Sequence, residues 1–161
     1  MGGRYESRGP GKRSQLRDDF VNGLRCFNCK DFEGALMFFR IADDSAELDD
    51  AYQSRYTSFH GLSRVFMGDR NGVKLCRKAA VGETGDVEVY YNLAVAEQQL
   101  SFHESALMAL RRGLNIDPDH AGLQRLKREL SRSERRAAIP GLKFDNVVSR
   151  LLGKLLGRSS A

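Results

Sequence analysis

The stretch from Val87 to His120, VEVYYNLAVAEQQLSFHESALMALRRGLNIDPDH, constrains the fold more than any other part of the 161-residue chain. Tyr90, Leu93, Ala94 and Glu97 recur at intervals of three and four, with Leu100 a turn further on. Ala106, Leu107, Leu110, Gly113 and Leu114 repeat the pattern. Side chains three and four apart share a helix face, so this spacing predicts two amphipathic helices and not strands. Ser101 to His103 interrupts it, and a break this short joins neighbouring helices into a hairpin. Asp86 is placed to cap the first helix. Asp117, with Pro118 at the tolerated first helical position, is placed to start a third. A helix pair of this kind cannot bury its apolar face alone, so copies must stack.

The stretch resembles a tetratricopeptide repeat, a helix pair of 34 residues. That family places a large residue at position 4, Leu at 7, a small residue at 8, Ala at 20, a large residue at 24, a small one at 27 and Pro at 32. Counted from Val87, these are Tyr90, Leu93, Ala94, Ala106, Leu110, Gly113 and Pro118, without a gap. Glu97 departs from the pattern at position 11, which is usually aromatic. Residues 16–49 fit the same frame through Gly23, Ala35, Phe39 and Ala42, with Asp31-Phe32 at the turn, although Asp19 holds position 4 and the closing proline is missing. Residues 54–86 fit through Gly61, the Gly68-Asp69 turn and Ala80, with Val73 where alanine is expected. The resemblance implies an all-α, right-handed helical solenoid over 15–136, with repeats at 16–49, 54–86 and 87–120 and a capping helix over 118–136.

The elements follow from the same reading. Helices are expected over 16–29, 32–46, from Asp49 or Asp50 as cap to about Met67, and from beyond the Gly68–Asn71 turn to about Ala80. Phe32, Leu36, Met37, Phe38, Phe39 and Ile41 of the second helix read as core. Leu123, Leu126 and Leu130 share one face of the capping helix, with Arg125, Lys127, Arg128, Arg132, Arg135 and Arg136 mainly on the others, as shielding the last repeat from water requires.

The net charge of +5 conceals an asymmetry. Residues 1–15 carry four Lys/Arg and one acidic residue; residues 121–161 carry ten and three; the body between them carries twelve and seventeen. An acidic body lies between basic ends. Residues 1–14, rich in Gly and Arg, read as a disordered basic tail. No run approaches the roughly 18 to 20 apolar residues that span a bilayer. The first residues lack the apolar stretch of a secretory leader, so a cytoplasmic protein is expected.

No enzymatic motif is found: no glycine-rich phosphate loop, no nucleophile elbow, no His pair on one helix face. His60, His103 and His120 fall on separate elements and read as turn or surface residues; Asp43-Asp44 and Asp49-Asp50 read as helix-end carboxylates. Cys26 and Cys29 form a CxxC inside a helical pattern, and Cys76 with a histidine supplies no second spaced pair. Reduced thiols packing as small apolar groups are expected, with no metal and no cofactor.

Ile139-Pro140-Gly141 breaks the chain, so that 137–161 reads as a hinge and a last helix capped by Asp145. Phe144, Val147, Val148, Leu151, Leu152, Leu155 and Leu156 recur at helical spacing there, with Arg150, Lys154 and Arg158 off that stripe. Such a short amphipathic helix needs a surface. The acidic body of its own or a sister solenoid is the expected one; an anionic membrane or another protein are the alternatives.

In the repeat family, positions 2, 5, 9, 12 and 13 of each first helix line a concave face. The resemblance carries these onto Arg17, Phe20, Leu24, Phe27 and Asn28; then Arg55, Ser58, Leu62, Val65 and Phe66; then Glu88, Tyr91, Val95, Gln98 and Gln99. Members that grip a C-terminal carboxylate use Lys and Asn at positions 5 and 9 of the first repeat, where this chain has Phe20 and Leu24. The implied function is therefore a non-enzymatic protein–protein interaction module, an adaptor or scaffold taking an apolar peptide or amphipathic helix. The last helix serves as a lid or a dimerisation element in that reading. A small chaperone of the type III secretion kind, or binding of membrane or RNA through the basic C-terminal region, are the alternatives.

Overall fold

The computed structural model describes residues 16–47, 49–82 and 85–137, the side chains of 134–137 excepted. The N-terminal tail and residues 138–161, with Phe144 and the Val147 to Leu156 stripe, lie outside the described residues. Among those described, the chain forms α-helices and no strand: α1 Asp18–Asn28, α2 Phe32–Asp44, α3 Gln53–Phe66, α4 Gly72–Gly82, α5 Val87–Gln99, α6 His103–Ile116 and α7 Ala121–Ala137. Helices α1 and α2, α3 and α4, and α5 and α6 pack as pairs. Helix α3 joins the first pair to the second through α2, and α5 joins the second to the third through α3 and α4. Helix α7 closes the stack on α6 and α5.

Each pair turns on the same device. Lys30, Gly68 and Ser101 have φ values of 65°, 88° and 64°, and each is the fifteenth residue of its copy. At each turn the next residue's N–H reaches back to the carbonyl five residues earlier: Asp31 to Cys26, Asp69 to Arg64, Phe102 to Glu97, at 2.9–3.0 Å. The left-handed residue itself donates to the carbonyl three residues earlier. This double bond is the Schellman motif, which satisfies the last carbonyls of a helix and reverses the chain in the fewest residues. Asp31 then caps α2, its carboxylate accepting from Gly34 N–H at 2.9 Å. Asp86 caps α5 by accepting from Glu88 N–H at 3.0 Å.

Close approach between paired helices is set by small residues. A β-carbon added at Gly61 would lie 2.6 Å from the Gly72 carbonyl oxygen, so α3 and α4 touch backbone to backbone. Gly72 supplies the contact one position before Val73, which explains why valine is tolerated where the frame expects alanine. Ala94 and Ala106, both fully buried, stand at the small-residue positions of the third pair.

The core runs through the stack. Phe20, Phe39 and Tyr56 are buried together, and the Phe20 ring lies 5.0–5.4 Å from the rings of Phe39, Tyr56 and Phe59. Leu110, Leu123, Leu126 and Leu130 are buried where α7 closes the stack. Met37 and Ile41, expected in the core, are 49% and 40% exposed. The buried face of α2 is Ala35, Phe39 and Ala42, and Met37 and Ile41 lie on the opposite side.

The polar expectations shift more. Glu97, at the usually aromatic position, is only 2% exposed. Its two oxygens accept from Arg77 Nε and Nη2 at 2.6 and 2.8 Å, so a fork between α4 and α5 stands where an aromatic contact is usual. His60 is buried inside α3 and not at a surface: its Nδ1 lies 2.8 Å from Asp43 Oδ2. Asp43 also accepts from Gln53 Nε2 and Thr57 Oγ1, so it ties α2 to α3 where end-of-helix solvation was expected. Asp50 accepts from Tyr52 N–H in the turn ahead of α3 and caps no helical N–H. Helix α7 begins at Ala121 and not at Pro118. Asp117 closes a turn by accepting from Asp119 N–H, and His120 becomes the cap, its Nδ1 accepting from Leu123 N–H at 3.2 Å.

Candidate protein-binding groove

The first helices of the three pairs, α1, α3 and α5, border one open cavity of about 440 Å³. Leu16, two residues ahead of α1, and Phe20, Leu24, Phe27 and Asn28 of α1 contribute side chains from one face. Helix α3 contributes Arg55, Phe59, Leu62 and Phe66; helix α5 contributes Glu88, Tyr91, Asn92 and Val95. Ten of the fifteen expected groove positions meet here.

The other five do not. Ser58 and Val65 are buried. The Ser58 hydroxyl donates to the Arg55 carbonyl and accepts from Asn92 Nδ2 at 3.0 Å, which links α3 to α5. Phe59 takes the place expected for Ser58, because 55, 59, 62 and 66 form one continuous face of α3. Gln98 and Gln99 lie past the end of the cavity, toward the turn, where Gln98 Oε1 meets His103 Nδ1. Arg17 is outside the lining, and its N–H donates to the Tyr56 hydroxyl at 3.2 Å. Leu16, Phe59 and Asn92 were not anticipated; only the i, i+4, i+7 continuity of each stripe could have found them.

The floor is apolar and aromatic. Phe27 stands 5.7 Å from Phe66 and 6.0 Å from Phe59, and Phe66 stacks on Phe32 at 4.8 Å. Phe27 and Phe66 are half-buried and line the cavity, so part of each of these two rings stays exposed there. The charged groups on the rim are committed internally. Arg55 makes two bonds to Asp86, Nε to Oδ2 at 2.7 Å and Nη2 to Oδ1 at 2.9 Å, and its guanidinium also lies over the Tyr52 ring. The Asp86 hydrogen bond raises the Arg55 pKa, so the guanidinium keeps its charge throughout the ordinary pH range. Glu88 Oε1 lies 3.1 Å from His120 Nε2; with Nδ1 accepting the cap bond, Nε2 carries the proton and donates. Burial raises the Tyr91 phenol, with nearby Glu88 adding to it, so the ring is neutral in the wall. The groove therefore offers apolar surface and no uncommitted lining cation.

The cysteines sit elsewhere. Cys26 is half-buried and Cys29 exposed at the end of α1, while Cys76 is buried against α3 with its thiol donating to the Ser58 carbonyl. No group of three His, Cys, Asp or Glu side chains among the described residues is placed to hold a metal ion. No described helix is long and apolar enough to cross a membrane.

Solved structures resemble this arrangement. The TPR domain of Arabidopsis OM64 superposes with a TM-score of 0.57 at 16% identity, over 71% of this chain and 93% of that one. The first TPR of Spaghetti (RPAP3), bound to the HSP90 peptide SRMEEVD, gives 0.57 at 16% identity, over 78% of this chain and 99% of that one. A structure of the UNC-45 chaperone, concerned with binding and folding muscle myosin, gives 0.59 at 17% identity, over 75% of this chain but 13% of that much longer one. No family model matches the sequence, and a search of curated proteins found no match. The fold is thus an all-α solenoid of the tetratricopeptide type.

Proposed function

We propose that this chain is a protein–protein interaction module that takes an apolar segment of another protein into the groove of α1, α3 and α5. The observation that carries the reading is the character of the lining. Leu24, Phe27, Phe66 and Val95 offer half-buried apolar surface, while the one lining cation, Arg55, is already held by Asp86. Burying such surface under a partner's side chains is favourable, and a partner's charge would gain little where the rim is already paired. A cavity of about 440 Å³ accepts a few side chains of an extended peptide or of one helix face. The neighbours in fold, one of them bound to a peptide, are consistent with this use of the surface.

The test is affinity capture with the full chain and with Leu24→Glu, a half-buried position that reaches the groove. A protein retained at high salt by the parent and lost by Leu24→Glu supports the reading. Recovery of only nucleic acid or lipid, lost as salt rises, points instead to the exposed Arg125, Lys127, Arg128 and Arg132 of α7. Competition by residues 139–161 is read in the same experiment: capture by residues 1–138 rises if they occupy this groove and is unchanged if they dock elsewhere.

A further inference from the structure

We infer that the outer stripe of α2, centred on Met37 and Ile41, is the dock for residues 144–158 of a second copy of this chain. Met37 and Ile41 lie one turn apart and are the exposed large apolar residues of α2, with half-buried Phe38 beside them. The opposite face of α2 is already spent on α1 and α3. A solenoid must present a polar outer face at each end to stay in solution alone. The α7 end does so: Arg125, Lys127, Arg128 and Arg132 are exposed, and its leucines at 123, 126 and 130 are buried. In the first pair, α2 leaves Met37 and Ile41 uncovered on its outer side, and something of matching character belongs on them.

Charge says what. Residues 31–50 carry seven acidic side chains and one basic one, Arg40. Glu33 and Asp44 flank the stripe and are exposed, as are Glu47 and Asp49 in the turn that follows, and none of the four is paired with a cation among the described residues. Residues 144–158 have the complementary pattern: an apolar stripe at helical spacing, with Arg150, Lys154 and Arg158 beside it and Asp145 as the one acid. A helix of this length is marginal alone in water and forms against a surface. The groove is the poorer match, because its acidic groups, Asp86 and Glu88, are already bonded to Arg55 and His120.

The donor is a second copy because the same copy is short of reach. Helix α2 is in the first layer of the stack and α7 in the fourth, three packing steps of about 8–10 Å each. The six residues 138–143 span at most about 22 Å fully stretched, which falls short of those three steps. Between two copies the constraint vanishes, and reciprocal exchange closes the contact about a two-fold axis.

Light scattering on the full chain tests this with four proteins. The parent is expected at twice 18.1 kDa. Met37→Glu/Ile41→Glu and Leu151→Glu/Leu155→Glu are each expected to be monomeric with unchanged circular dichroism, since the first pair is exposed in the monomer. Mixed together, the two double variants are expected to form a weaker heterodimer, because one has an intact dock and the other an intact tail. Leu24→Glu in the groove is expected to leave the parent dimer unchanged. A monomeric parent, a dimer that survives Met37→Glu/Ile41→Glu, a dimer lost in Leu24→Glu, or no heterodimer on mixing would each overturn the inference.

Discussion

Ser101 holds a left-handed backbone conformation that costs an L-residue roughly 1 kcal/mol, and glycine would hold it freely. Gly68 already occupies the equivalent place in the second pair. Ser101→Gly should therefore raise stability by about 1 kcal/mol, measured as a shift of the urea midpoint at unchanged slope. Cys76 illustrates the opposite case, a group fixed by burial. Burial pushes its thiol up to about 12, and the nearby Glu97 carboxylate adds to this. At pH 8 it should resist a thiol reagent until the protein unfolds, whereas exposed Cys29 should react at once. The sign of the linked effect is definite. The unfolded thiol titrates near its ordinary value and the folded one does not, so stability is intact below that value and falls as pH rises from there toward 12.

Pairs of helices depend on contacts that tolerate little change. Gly61→Ala would drive a methyl into the backbone of α4, and a cost of about 2–3 kcal/mol is expected from chemical denaturation. The fork between Arg77 and Glu97 is asymmetric: the arginine side chain is half exposed and the carboxylate is buried. Arg77→Met strands that carboxylate and should destabilise by about 3 kcal/mol. The double variant Arg77→Met/Glu97→Leu should recover much of the loss, because no unpaired charge is left behind. A double variant no more stable than Arg77→Met alone would show that the fork contributes packing and not charge compensation. His120 works between elements in the same way, capping α7 with one ring nitrogen and holding Glu88 of α5 with the other.

Across the whole molecule the groove and the two ends of the stack divide the surface. An acidic C-terminal peptide such as SRMEEVD, bound by one structural neighbour, should fail to bind here in fluorescence anisotropy. Phe20 and Leu24 stand at the positions implied for a carboxylate clamp, and the Arg55 guanidinium is taken by Asp86. The helix pairs and the small residues at their crossings were legible in the chain, because Tyr90, Leu93 and Ala94 report helical period locally and Ala106 and Gly113 report close approach. What the chain did not reveal is rotation and pairing. Ser58 and Phe59 are neighbours in sequence, and a turn of some tens of degrees in α3 decides which one faces the groove. Glu97 read as a departure until Arg77, twenty residues away, supplied its partner. Asp43 read as a helix-end carboxylate until α3 brought His60 and Thr57 against it. Period and propensity are properties of neighbours along the chain and survive in the sequence. The burial of a polar group depends on a partner brought near by folding, so only the packed helices fix it.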